Sequence, residues 1–195
     1  MTPAALRDLL SRFDPLRPQP ASGWRGDIPL PPDLARFYAE VGPFGLEREV
    51  GPSPLGVTIP TVGNPFWLPP LSRLWELQAG YRWNARTGRR EAGWREGWIV
   101  VAERGGDPFI LDAPTGEVGH DVHGGGTWLF TRLFPDVFTM AACLGTIGLV
   151  HEEAGEELYD ADFGVRSEWR AGLVEALRPL VGGSAAEDLA GRFDR

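Results

Sequence analysis

The amino-acid sequence predicts an α+β fold with a central, largely antiparallel β-sheet, flanking helices and extra helices toward the C-terminal end. Two amphipathic helical patterns come first, short apolar segments separated by turns follow, and helical patterns close the chain. The chain has 195 residues, 43% of them hydrophobic, enough for one domain with a sizeable core. We therefore expect a single domain over residues 1–195, with a core at about residues 24–150 and a helical extension at about residues 155–195.

The first two helices are predicted from apolar spacing and end signals. Leucines and a phenylalanine recur at helical spacing in residues 3–13, which predicts one buried face. A second helix is predicted between Leu30 and Gly42, because prolines open its first turn, Asp33 lies near its positive end and Gly42 supplies a stop.

The sheet is predicted from short apolar runs in the middle of the chain. Residues 50–70 predict short strands in an irregular segment, and Ser72 is expected to cap a short helix that carries Tyr81. Residues 98–102 and 109–111 predict a hairpin across a Gly-Gly turn, and residues 117–122 predict a third antiparallel strand.

Three further helices are predicted after the sheet. One opens at Pro135 and Asp136 and continues to about Val150. Ser167 is expected to cap the next helix, and residues 184–187 have the spacing of a capping box for a last short one.

The charge composition excludes several function classes. All 19 basic residues are arginine, so a phosphate-binding loop that needs lysine and catalysis through a lysine Schiff base are both ruled out. The net charge of −8 argues against nucleic acid as a partner. No apolar run is long enough for a membrane span and the first residues lack an export-signal pattern, so we expect a cytoplasmic protein with no membrane partner.

The order of these segments resembles the SUKH superfamily, which includes many bacterial toxin-immunity proteins and a fungal cell-wall regulator. The resemblance spans roughly residues 24–150. It is carried by the helix from Leu30-Pro31 to Gly42, the strand from Gly97 to Ala102, the turn Gly105-Gly106-Asp107 with the strand after it, and the helix that follows Phe134-Pro135. Residues 51–70 and 155–195 are additions relative to short members of the group.

The resemblance implies a non-catalytic protein-binding role, often the neutralisation of a nuclease or similar toxin delivered between bacterial cells. We therefore expect an immunity protein that binds a polymorphic toxin stoichiometrically and needs no cofactor. An alternative is a cytoplasmic regulatory adaptor that has no toxin partner.

An acidic run is the first candidate binding surface. Six acids and no bases stand within eleven residues: Glu152, Glu153, Glu156, Glu157, Asp160 and Asp162. Such a run is ordinarily a solvated linker. As a functional surface, it would attract and orient a basic toxin face.

A tryptophan and arginine segment is the second candidate. Among the eight tryptophans, Trp98 and Trp169 fit buried positions, whereas Trp83 and Trp94 stand among arginines and are expected to be partly exposed. Tryptophan and arginine are favoured interface anchors. Arginine planes that merely cover surface tryptophans explain the same pattern equally well.

The sequence assigns no catalytic residue and no metal site. His120, Asp121 and His123 could hold a metal only with a further distant ligand, which leaves a metal-dependent or small-ligand enzyme as another alternative. A zinc-protease pattern starting at His151 fails because Gly155 stands where the second histidine is required.

Overall fold

A computed structural model describes residues 1–47, 54–161 and 164–193. They form one sheet of six strands whose spatial order equals their sequence order, with every neighbouring pair antiparallel. The strands are Val57–Ile59 (β1), Phe66–Leu68 (β2), Trp98–Arg104 (β3), Asp107–Asp112 (β4), Val118–His120 (β5) and Thr131–Phe134 (β6). The predicted α+β class and antiparallel sheet are confirmed.

The same residues form six α-helices: Pro3–Leu10 (α1), Pro32–Glu40 (α2), Leu71–Leu74 (α3), Val137–Ala154 (α4), Ser167–Val181 (α5) and Gly183–Phe193 (α6). The end signals of α2 act as predicted, because Pro32 is its first residue and Gly42, at φ 67°, follows its last turn. Asp136 caps α4 by accepting a hydrogen bond from the Thr139 backbone N–H at 2.7 Å. None of the described helices is both long and apolar enough to cross a membrane.

The β3–β4 hairpin forms across Gly105 and Gly106, as predicted. Arg104 pairs with Asp107, and both glycines between them have positive φ angles of 60° and 95°. A two-residue loop with this backbone matches the twist of the flanking strands. The hairpin is the centre of the sheet and fixes which β3 side chains point to each face.

The main core lies between one face of the sheet and the helices. β3 and β4 contribute Ile99, Phe109 and Leu111 to it, and α1, α2 and α4 contribute further buried side chains to the same core. The last helices belong to the same core: Leu177 of α5 and Phe193 of α6 are buried in it. The predicted C-terminal extension therefore packs as part of the domain.

Three sequence predictions were wrong in detail. Ser167 does not cap α5, because it is the first residue of that helix and Arg166 occupies the cap position. α3 has four residues and starts after Pro70, so Ser72 lies inside it and does not cap it, while Tyr81 lies beyond the 3-10 turn Glu76–Gln78. Trp169 is only partly buried: it lines an open apolar cleft with Ile147 and Leu173, and its indole N–H donates to the Glu157 carbonyl at 3.0 Å.

Candidate functional site

The segment between α3 and β3 covers a sheet edge that has no strand partner. β2 pairs with β3 only at Glu103 and Arg104, so the earlier residues of β3 have a free edge. Gln78 fills this gap with its side-chain amide: Val100 donates its backbone N–H to Oε1 at 2.9 Å, and Nε2 donates to the Val100 carbonyl at 2.9 Å. A buried side chain thereby supplies the hydrogen bonds that a strand would make.

Arg82 and Trp94 complete the cover of this edge. Arg82 Nη1 donates to the carbonyls of Glu96 at 2.7 Å and Trp98 at 3.3 Å, and Trp94 Nε1 donates to the Trp98 carbonyl at 3.1 Å. These bonds fix both side chains against the backbone. Both residues thus support the fold, whatever else they bind.

Aromatic rings cover the face of the sheet opposite the main core. The side chain of Trp98 points to this face, since its strand neighbour Ile99 points into the core. Trp94 lies 5.6 Å from Trp98 and 5.6 Å from Trp128 between ring centroids, and Tyr81 lies 5.5 Å from Trp128. Trp75 and Trp83 lie beside Arg82 at the covered edge of β3. We call this edge group and the rings on the outer face together the tryptophan–arginine surface, in which Tyr81 and Arg82 are buried and the others are partly or fully exposed: Trp75, Tyr81, Arg82, Trp83, Arg90, Trp94, Arg95 and Trp128.

Trp83 and Trp94 are both half-buried, which confirms the expected partial exposure. Each ring is held by a neighbour: Trp83 lies 5.0 Å from Trp75, and Trp94 lies 5.6 Å from Trp98. Arg95 in turn covers the face of Trp98 at 5.0 Å. Arginines thus cover two tryptophans here, Trp98 and Trp75, and Trp75, Trp83, Trp94 and Trp128 each keep part of their surface exposed. A fixed, partly exposed ring loses little entropy when a partner covers it.

A glycine-containing loop extends the tryptophan–arginine surface with apolar side chains. Its two ends are joined by Asp121, whose carboxylate accepts the backbone N–H of Val122 at 2.8 Å and of Leu129 at 2.5 Å. Val122 and Leu129 are 59% and 64% exposed. Large exposed apolar side chains next to a half-buried tryptophan are typical of a contact surface.

The acidic run lies elsewhere, around the end of α4. Glu152 and Glu153 belong to its last turn, and a 3-10 turn, Gly155–Leu158, carries Glu156 and Glu157. Asp160 is exposed and accepts the Gly164 backbone N–H at 2.8 Å, while Asp162 lies outside the described residues. We call Glu152, Glu153, Glu156 and Glu157 the acidic cluster.

The acidic cluster stands where its charge opposes the stability of the helix. The C-terminal end of a helix carries partial negative charge. Each acidic side chain there therefore lowers the stability of the helix by about 0.3 kcal/mol or more. All four carboxylates are exposed, and no ion pair to another described residue neutralises them. The cluster follows α4, which packs on the core side of the sheet, whereas Trp94 and Trp128 lie with Trp98 on the opposite face.

The histidines that the sequence places near each other have separate surroundings. His120 is 4% exposed and packs between Phe109 and Phe193, with centroid distances of 4.7 Å and 5.7 Å. His123 is exposed and lines a cleft with Tyr81 and Glu103 on the other face. The carboxylate of Asp121 holds the loop closed. Among the described residues, no group of three or more histidine, cysteine, aspartate or glutamate side chains could hold a metal ion.

Burial of His120 predicts that the protein loses stability in mild acid. Burial, and then the nearby charge of Arg192, lower the pKa of His120 to about 4, and neither ring nitrogen has a hydrogen-bond partner among the described residues. The unfolded chain therefore binds a proton at higher pH than the folded chain does. The contribution of His120 to the free energy of unfolding is therefore fully present above about pH 6.5 and is lost as the pH falls toward 4. Between pH 7.5 and pH 5.0 the loss is about 2 kcal/mol.

Urea unfolding of the wild type and of His120→Phe at both pH values measures this contribution. The variant keeps a ring of similar size but has no group that titrates at this position. We therefore expect the drop in its free energy of unfolding between pH 7.5 and pH 5.0 to be about 2 kcal/mol smaller than in the wild type. Burial also lowers the pKa of His151, so we expect it to add a smaller loss of stability between the two pH values in both proteins. Equal pH dependence in the two proteins would show that His120 does not titrate as a buried neutral group.

Sequence reasoning missed Gln78 and Trp128 as members of this region. Gln78 acts through a strand edge that exists only once the sheet is assembled, so no local pattern identifies it. Trp128 could have been found, because it directly follows the glycine loop and no core pattern accounts for it.

Comparisons with protein-family models, with curated proteins and with solved structures found no match to this chain.

Proposed function

We propose that this chain is a non-catalytic protein-binding module that neutralises a bacterial protein toxin by stoichiometric binding. The observation that carries the proposal is the tryptophan–arginine surface, in which half-buried tryptophans are fixed in place beside exposed arginines. Interfaces draw most of their binding free energy from a few such residues. The resemblance of the segment order to the SUKH superfamily supports a toxin as the partner.

The tryptophan–arginine surface is suited to close contact. Its rings are already ordered by stacking and by hydrogen bonds to the β3 edge. A partner that covers them gains from apolar burial without first ordering the side chains. Val122 and Leu129 enlarge the apolar area at one end of this surface.

The acidic cluster is suited to long-range attraction of a basic toxin such as a nuclease. With the net charge of −8, it raises the rate of encounter with a positively charged protein. Because it follows α4, which packs on the core side of the sheet, we assign close contact to the tryptophan–arginine surface and attraction to the acidic cluster. This division predicts different kinetic effects for changes at the two places.

The test is affinity capture of the tagged protein from its native lysate, followed by binding kinetics with the captured partner. Trp83→Ala is expected to weaken binding by about 2 kcal/mol, roughly 30-fold, mainly through faster dissociation. Changing all four residues of the acidic cluster to glutamine is expected to slow association at low salt and to have little effect at about 1 M salt, where charges are screened.

Trp169→Ala is the matched control, because it removes another half-buried tryptophan, one that lies beside α4 and outside the tryptophan–arginine surface. It is expected to leave dissociation unchanged. If Trp169→Ala and Trp83→Ala weaken binding equally, or if Trp83→Ala has no effect, the tryptophan–arginine surface is not the contact site. Capture of a partner that is not a toxin would favour the regulatory adaptor.

A further inference from the structure

A cleft opens within the tryptophan–arginine surface, beside the covered edge of β3. It has a volume of about 460 Å³. Trp75 and Trp83 form aromatic walls, and Arg82 and Arg90 line it together with Asp27 and Glu96. The aromatic walls can enclose the stem of a bound side chain, and the guanidinium groups can bind its head.

Arg82 is buried in this cleft without an ion-pair partner. The residue is 4% exposed, yet no carboxylate of the described residues lies within 4.0 Å of its guanidinium. A buried cation without a counter-charge is unusual, because desolvation of the charge is costly. Burial, and then the nearby Arg90, lower the pKa of Arg82, so the site favours an added negative charge.

The hydrogen bonds of Arg82 orient its free donors. Nη1 makes both bonds to the carbonyls of Glu96 and Trp98, and Trp75 lies 5.5 Å from the guanidinium carbon. The N–H groups of Nε and Nη2 remain for a ligand, and on a planar guanidinium they form the pair of donors that a carboxylate accepts. A preoriented group of this kind binds at low entropic cost.

The acids of the cleft do not take this position. Glu96 pairs instead with Arg90 at 3.2 Å. Asp27 and Glu96 both act on Arg82 through their charges, but both are exposed and neither forms an ion pair with it, so they compete with an incoming carboxylate only from a distance.

We propose that this cleft binds the side-chain carboxylate of an aspartate or glutamate on the partner protein, with Arg82 as its ligand and Trp75 and Trp83 against its stem. This inference rests on the proposed function, since it names the group that the tryptophan–arginine surface receives. Charge complementarity with an unpaired buried guanidinium identifies the occupant.

The test uses a small probe and therefore does not need the partner. Isotope-labelled full-length protein is titrated with N-acetyl-glutamate methylamide, and the indole N–H signals of Trp75 and Trp83 are followed by NMR. Saturable shifts are expected with this probe, and at least about tenfold weaker binding with N-acetyl-glutamine methylamide, which lacks the charge. Equal binding of the two compounds, or no saturable shift with either, would overturn the inference.

Variants place the probe within the cleft. Arg82→Gln is expected to weaken binding at least about tenfold, whereas Arg86→Gln, a neighbouring exposed arginine outside the cleft, is expected to leave it unchanged. Asp27→Asn removes the competing charge and is expected to strengthen binding. If Arg82→Gln does not fold, Asp27→Asn and the comparison of the two probes decide the result.

Two outcomes separate this inference from the proposed function. Probe binding with no toxin partner captured would support the cleft and reject the immunity role. Capture of a toxin whose binding is unchanged in Arg82→Gln would support the role and reject the cleft. Tighter binding of N-acetylalanine, whose carboxylate is a chain end, would show that the occupant is not a side chain.

Discussion

Replacing Phe193 with alanine is expected to lower the free energy of unfolding by about 3–5 kcal/mol. The ring is buried at the centre of the sheet, 5.2 Å from Phe66 and 5.9 Å from Phe109, and Arg104 lies over it at 5.5 Å. Its loss leaves a cavity that rigid strands on one side cannot close. Urea unfolding followed by tryptophan fluorescence measures the effect.

Asp188→Ala is the control for this prediction, because Asp188 is exposed on the same helix. It is expected to change stability by no more than about 0.5 kcal/mol. A loss below about 1 kcal/mol for Phe193→Ala would mean that α6 is a detachable appendage. The core would then close without the C-terminal segment.

Replacing Gln78 with leucine is expected to lower the free energy of unfolding by about 3 kcal/mol. Leucine has a similar volume but cannot bond the N–H and carbonyl of Val100, and each buried backbone group left unpaired costs about 1–3 kcal/mol. Gln78 also donates to the Leu74 carbonyl at 2.8 Å, so α3 loses an anchor as well. Thermal and urea unfolding both measure the loss.

Glu76→Ala is the matched control in the same 3-10 turn, since Glu76 is exposed and forms only a long surface ion pair with Arg73. We expect the uncovered β3 edge in Gln78→Leu also to increase association between molecules at high concentration. Equal stability of Gln78→Leu and the wild type would show that the segment after α3 is held by its aromatic contacts alone.

The parts of the fold that the sequence predicted correctly depend on short-range signals. Proline and glycine mark α2, and the Gly105-Gly106 turn marks the central hairpin, because each needs only a few neighbouring residues. β6 was not predicted: it follows a glycine loop, and three of its four residues are not buried, so it carries little apolar pattern. Its strand character comes from pairing with β5.

The packing of the C-terminal helices could not be derived from local signals. The pattern of α5 and α6 predicts helices but does not show what they cover. Phe193 reaches the same core as Phe66 although 127 residues separate them, and such a contact depends on the complete topology.

For the candidate site, the sequence indicated that Trp83 and Trp94 are partly exposed but not how they are arranged. Trp83 and Trp94 are half-buried as predicted, and the structure places Trp94 on the outer face of the sheet beside Trp98 and Trp83 beside Trp75 at the β3 edge. Arg82 is buried because it bonds backbone carbonyls along the part of β3 that β2 does not pair with. That part is left open because β2 is short and pairs with β3 only at Glu103 and Arg104. No pattern in residues 82–95 contains that information.

Neutralisation by stoichiometric binding is measured by inhibition at known molar ratios. The captured partner's activity is measured as this protein is added at concentrations far above the dissociation constant. We predict a linear fall that reaches zero at equimolar protein. Complete loss of activity at a small fraction of one equivalent would contradict the claim, because it would require catalytic turnover, and full binding with undiminished activity would show that the protein is not a neutraliser.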